Sequence, residues 1–257
     1  MSNSIFNKKS LHLIKELTIA EFKLRDQGSF LGFIWTLLHP LLTFLILYLL
    51  FNKWTGKFVY DFKGYLLVGI VQWSFFAGTT TYTAEVFVRK RGLLKNFAFP
   101  AEVLIVASVF TGLISHILEF MVLLGFLFFT GTHFTFKILC VPFIILIQLT
   151  LVLSASFLLA TLYIFYKDTS RIWNILTMLG FFVTPIFYSL PMLSKKAQQL
   201  LLMNPMTHIV NSTRFLILGY PDIRILGLFM TFLLGAVFFA AAYYLFKRLF
   251  KWFPEVL

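Results

Sequence analysis

The chain has 257 residues, of which 60% are hydrophobic, 19% aromatic and only 12% charged. A soluble globule carries roughly a quarter charged residues, so this composition excludes one and indicates an all-α polytopic membrane protein. The formal net charge of +12 does not point to nucleic acid, because the basic residues cluster between apolar runs where anionic headgroups lie.

Residues 10–26 read as an amphipathic helix on the membrane surface. Leu13, Leu17, Ala20 and Leu24 form a stripe with Ile14 beside it, opposite His12, Lys15, Glu16 and Lys23. A polar start followed by a run long enough to span does not match a cleavable signal peptide. Six spans of about 20 residues follow, at 30–51, 64–83, 103–130, 138–165, 172–189 and 225–246. An even number puts both termini on one side. The N-terminal segment, the loops at 87–101 and 165–171 and the C-terminal tail hold about 14 of the 22 Lys and Arg, which makes that side cytoplasmic.

Three connecting segments carry more pattern than a linker needs. The loop at 87–100 mixes Leu93, Leu94, Phe97 and Phe99 with Arg89, Lys90, Arg91 and Lys95, which fits either a partner's groove or a headgroup-binding loop. At 166–171 a charged hinge opens the fifth span, which breaks at Thr184-Pro185 where a plain membrane helix would continue. Proline removes a donor and frees a carbonyl, so the break requires a neighbouring helix or a water-filled cavity, and it reads as a pathway lining or a packing kink. After it, Ser194 can cap one short helix, and Asn204-Pro205 is a capped start for a second that ends at Gly219. Both helices are too short to span, and residues 190–222 therefore read as re-entrant or external.

Candidate chemistry is sparse. There is no GxxxxGK[ST] motif, so the chain has no P-loop of its own for ATP. Its one cysteine, Cys140, excludes an intrachain disulfide and CxxC chemistry, and five scattered histidines give no metal-ligand spacing. No catalytic, cofactor or metal residue is assigned. His116 and Glu119, three apart near the middle of the third span, can pair as a relay, an active-site dyad or an interhelical contact. Phe30, Phe33, Trp35, Phe44 and Tyr48 in the first span, with Phe181, Phe182, Phe187 and Tyr188 in the fifth, are candidates to line a passage in which aromatic faces let sugars slide. Belting at the membrane interface is the alternative for the tryptophans.

Five segments in order resemble the permease subunits of type-2 ABC exporters, the branch that moves polysaccharides such as O-antigen, capsule and teichoic acid. They are GSFLGFIWTLLHPLLTFLILYLLF (28–51), LLKNFAFPAEV (93–103), YKDTSR (166–171), TPIFY (184–188) and NPMTHIVNSTRFLILG (204–219). Lys167, where arginine is commoner, and His39 before Pro40 depart from the pattern. The resemblance implies a single transmembrane domain over 1–257 that forms a homodimer in the bacterial cytoplasmic membrane. It implies a separate ATPase per protomer that holds the ATP and Mg. Residues 10–26 would be a gate helix, 87–100 a coupling loop docked on the ATPase, and Thr184, Pro185, Asn204 and Pro205 parts of an outer gate. The substrate would be a lipid-linked polysaccharide, most simply undecaprenyl-diphosphate-linked O-antigen, with Lys23, Arg25, Arg89 and Arg91 as candidate diphosphate or headgroup ligands. An exporter of drugs or small lipids and a glycan-modifying membrane enzyme using His116 and Glu119 are the competing readings.

Overall fold

The computed structural model describes residues 7–24, 34–96, 99–132, 134–221 and 224–253. Arg25, Phe30, Phe33, Phe97 and the Lys95 side chain, all candidates above, lie outside the described residues. Eleven α-helices with short 3-10 turns make up the described fold: α1 (Lys8–Leu24), α2 (Ile34–Thr55), α3 (Phe62–Ala84), α4 (Val86–Arg89), α5 (Arg91–Asn96), α6 (Glu102–Phe129), α7 (Val141–Phe165), α8 (Thr169–Val183), α9 (Lys195–Leu202), α10 (Pro205–Leu218) and α11 (Ile225–Leu249). Four stretches, Ile34–Thr55, Glu102–Phe129, Phe136–Phe165 and Ile225–Trp252, are long and apolar enough to cross a membrane, and the protein is a multi-pass membrane protein.

The other two expected spans take different forms. α3 has the length but is threaded with Gln72, Ser74 and four threonines, and most of it is buried inside the protein against α2, α6, α7 and α10. It is the central post of the bundle. Where α3 meets α6, a Cβ on Gly112 would lie 2.2 Å from Thr79 Oγ1, so the close approach requires glycine. α8 stops at Val183, so the residues from Thr184 to Ser189 expected to finish a span are not helical. Its 15 residues reach about 22 Å, short of a hydrocarbon core of roughly 30 Å.

Two apolar cores sit at opposite ends of the bundle. One gathers Leu66, Leu67, Leu123, Leu127, Ile186 and Ile209 from α3, α6, α10 and the segment after α8. The other gathers Phe87, Leu104, Phe157, Ile164, Phe246 and Phe253, rings that meet edge to face or stacked at 5.4–6.0 Å. The N-terminus of α6 is tied to the C-terminal turn of α11 by an ion pair between Glu102, 2% exposed, and Lys247. Each charge also complements the dipole of its own helix end.

α1 meets the bundle through its polar side. Its buried line is Ser10, Ile14, Thr18 and Glu21, packed on α6, with Leu13 and Leu17 half-buried beside it and Ala20 and Leu24 exposed. Polar contacts mark the register: Ser108 Oγ of α6 donates to Glu21 at 2.9 Å, and the hydroxyls of Thr18 and Thr111, which donate first to Ile14 and Ala107 in their own helices, are shared with the facing carbonyls of Ala107 and Thr18 at 3.3 and 3.4 Å. Polar groups face the bundle, and part of the apolar stripe faces away from it.

Candidate functional site

The break after α8 is held by an arginine that sequence reasoning passed over. Arg214 lies on α10 and is 1% exposed. Its guanidinium donates to the carbonyls of Pro185 (Nη1, 2.7 Å), Ile186 (Nη2, 2.8 Å) and Tyr65 (Nε, 3.0 Å), and stacks 3.3 Å from the Tyr65 ring centroid. A planar fork meets two carbonyls outside any regular helix, those of Pro185 and Ile186, and a third inside α3, which a compact ammonium could not do. The approach runs over Gly69, where an added Cβ would fall 2.8 Å from Arg214 Nη2.

Other groups complete the turn. Thr184 Oγ1 donates back to Gly180 and accepts from Asn204 Nδ2 at 2.9 Å, Tyr188 OH donates to the carbonyls of Phe182 and Val183, and Tyr65 OH donates to that of Tyr188 at 2.9 Å. Asn204 also caps α10 through Met206 N, with Pro205 at the first helical position. The structure thus brings Thr184, Pro185, Asn204 and Pro205 together, as parts of one hydrogen-bonded corner whose centre is Arg214. The signal for it was present as the one Lys, Arg, Asp or Glu in α10, a charge that in a membrane protein demands a partner.

Beneath this corner a groove of about 970 Å³ runs between α2 and α8, floored by α3. Trp35, Phe181 and Phe182 line it, with Trp73 and Tyr82 of α3. The remaining candidates are used otherwise. Phe44 and Tyr48 stack on each other at 5.7 Å and pack against Phe126 and Phe62, while Phe187 packs between Phe51 (4.8 Å) and Phe181 (6.2 Å). Between the rings, polar groups are set into a mostly apolar wall. Thr36, His39 and Thr43 come from one face of α2, Asn174 and Thr177 from α8, and Ser74, Thr81 and Glu119 from α3 and α6. The spacing 36, 39, 43 is helical, so the polar stripe on α2 was visible in the sequence.

His116 and Glu119 do not bond each other. Glu119 borders the groove and accepts from Ser74 at 2.6 Å, whereas His116 is 1% exposed, stacks on Phe75 at 4.5 Å, and has no hydrogen-bond partner on either ring nitrogen among the described residues. The two side chains share the lining of a small cavity of about 170 Å³ at the α3–α6 seam, and Glu119 alone also reaches the groove.

At the far end of the groove lie Glu85, Arg89 and Ser170. Ser170 donates to Glu85 at 2.8 Å, and Trp173 Nε1 to Thr80 at 2.9 Å, which fastens the start of α8 to α3. In the hinge, Asp168 and Arg171 form an exposed pair at 3.6 Å, which contributes about 0–1 kcal/mol. Lys167 places its ammonium 4.9 Å from the Tyr163 ring, a contact that needs a point cation and no fork. The 87–100 loop folds back on its own chain: Phe87 is buried, and Leu93, Leu94 and Phe99 pack against the same core. Arg89 donates to the Tyr82 carbonyl and lies 3.8 Å from that ring. Among the described residues of the loop, Val88, Arg89, Arg91 and Gly92 are exposed, and Lys23 at the end of α1 is exposed too. Lys90 pairs with buried Glu21 at 2.5 Å. Burial pushes the Lys90 ammonium below its ordinary pKa, against the opposing pull of Glu21.

Known proteins resemble this chain over most of its length. The model of the ABC-2 type transporter membrane family matches residues 12–218. An O-antigen export system permease protein RfbA of Myxococcus xanthus is 33% identical over 204 residues, covering 78% of each chain. Two proteins of the same name from Klebsiella pneumoniae are 26% identical over 250 residues, covering 95% of each chain. With four apolar helices able to cross a membrane and a family match over most of its length, the chain belongs to the ABC-2 type transporter family of membrane permeases.

Proposed function

We propose that this chain is the permease subunit of an ATP-driven exporter of lipid-linked polysaccharide, of the O-antigen class, and not an enzyme. The observation that carries the reading is the groove between α2 and α8, whose alternating aromatic and hydroxyl, amide and imidazole lining matches the two kinds of surface a sugar presents. A drug or small-lipid exporter has less use for so many hydrogen-bonding groups at the depth of the bilayer, where each is costly unless partnered. The names of the relatives point the same way.

In this reading α3 and α8 complete six spans, both termini are cytoplasmic, and the membrane is the bacterial inner membrane. α9 and α10 roof the outer face as a gate, braced by the Arg214 corner. α2 and α8 carry long exposed apolar faces, Leu45, Leu49 and Trp54 on one and Ile175, Leu179 and Phe182 on the other. A second copy covers part of them and closes the open side of the groove into a conduit. The separate ATPase, which holds the ATP and Mg, seats against the exposed basic surface of α4 and α5, and its nucleotide-driven motion opens the conduit. Lys23, Arg25, Arg89 and Arg91 meet the diphosphate of the carrier lipid or the headgroups around it.

The test is purification of the chain in detergent from native membranes, with mass spectrometry of co-purifying protein and lipid-linked glycan. An ATPase at equal stoichiometry and a bound polyprenyl glycan are the expected result. A chain that purifies alone and exports without nucleotide refutes the reading.

A further inference from the structure

Three elements meet at one carboxylate. Glu21 of α1, 6% exposed, accepts from Ser108 of α6 through both oxygens, at 2.9 and 3.1 Å, and from the Lys90 ammonium at the junction of α4 and α5. The side chains of Lys90 and Glu21 are 16% and 5% exposed, so the carboxylate is buried and the ammonium is largely withdrawn from water. A lysine serving anionic headgroups or a partner's surface points outward, as Arg91 and Lys23 do.

The pair is not needed to hold either element to the bundle. α1 is fixed to α6 by buried Ile14 and by the Thr18–Ala107 and Thr111–Thr18 hydrogen bonds. α4 is fixed to the core by Phe87 against Phe246 and Phe253. What the ion pair adds is a direct bond between α1 and the α4–α5 loop. Separating it would strand two charges out of water, so the link is stiff: when the loop is displaced, α1 follows. Ser108 holds the carboxylate from the other side and keeps it aimed at Lys90.

We infer that Glu21 and Lys90 are positioning residues forming the joint through which displacement of the α4–α5 loop is passed to the amphipathic helix α1, and that Lys90 does not itself contact the partner. The inference rests on the reading of that loop as the seat of the ATPase.

The experiment compares Glu21→Gln, Lys90→Met and the reciprocal exchange Glu21→Lys with Lys90→Glu, in the full complex with its ATPase. ATPase co-purification, ATP hydrolysis and surface glycan are measured for each. Each single variant should keep the ATPase bound and hydrolysing while export falls about tenfold or more, within the range of one coupling free energy. The exchange should restore most of the export, because only the link between the two positions is recreated. Singles that export at the wild-type rate overturn the joint. So does an exchange that stays as inactive as the singles, and so do singles that release the ATPase, since Lys90 would then be a docking residue. A wild-type chain with no ATPase attached refutes the exporter reading instead, and is read from the first lane of the same experiment.

Discussion

Replacing Arg214 by lysine, ordinarily a conservative change, should harm this protein more than replacing it by methionine. The guanidinium satisfies three carbonyls and covers one ring. Lysine keeps the buried charge but reaches one of those carbonyls well. The carbonyls of Pro185 and Ile186 depend on Arg214, whereas that of Tyr65 keeps its bond inside α3. One orphaned carbonyl at about 1–3 kcal/mol and a lost cation–π contact of about 2 kcal/mol give a destabilisation of about 3–5 kcal/mol for lysine. Methionine orphans both, at about 4–8 kcal/mol with the ring contact, but recovers the several kcal/mol spent on burying a cation, leaving about 1–4 kcal/mol. For a chain of this size each kcal/mol moves Tm by roughly 2–4 °C. The assay is thermal unfolding of the purified chain in detergent, followed by tryptophan fluorescence, and the expected order is Arg, then Met, then Lys. A lysine variant within about 1 kcal/mol of wild type would show that three-carbonyl geometry is not what holds the break.

Three further outcomes are expected. Gly69→Ala puts a methyl against Arg214 Nη2 and so should reproduce part of the Arg214→Lys defect, about 1–3 kcal/mol by the same unfolding assay, with little further loss when the two changes are combined. His116→Phe keeps the stack on Phe75 and removes two unpartnered nitrogens, so stability should hold or rise by about 1 kcal/mol with export intact; loss of export in a stably folded variant would revive the enzyme reading. Burial, with Arg224 adding to it, holds the His208 imidazole below its ordinary pKa despite its bond to the Leu202 carbonyl. The unfolded chain therefore takes up this proton first, and the contribution is full above the unfolded value of about 6.5 and is lost as pH falls below it. Wild type should lose more Tm than His208→Gln between about pH 7.5 and pH 5.5; equal losses would assign the effect to other groups.

Much of the chain's plan can be read from its residues, because the rules that set it are local. Apolar runs of span length, basic clusters between them, Ser194 and Asn204 as caps, and Gly219 at a φ of +75° each act within a few residues, and α9 and α10 follow from them. The Thr184-Pro185 break belongs to the same class, since proline removes a helical donor locally, although Pro40 is carried within α2.

What satisfies the break depends on residues distant in the chain. Arg214 reaches back by 28 and 29 positions to Ile186 and Pro185 and by 149 to Tyr65, a meeting that no local pattern encodes. Helical periodicity likewise states which residues share a face but not which neighbour that face meets. The face of α1 toward α6 is therefore set by Thr18, Glu21 and Ser108 and not by its leucines, and Phe87, Leu93, Leu94 and Phe99 of the 87–100 loop go to the chain's own core. For the same reason His116 and Glu119 share a cavity without bonding each other, and four of the seven described candidate aromatics leave the groove to threonines, a histidine and an asparagine. The sequence by itself determined a membrane permease of helical spans with a broken helix beside its last loop. Tertiary structure alone decided which polar groups are brought together to make that break and the groove below it tolerable in a membrane, because in a bilayer a buried polar group must find its partner wherever the packing of helices puts one.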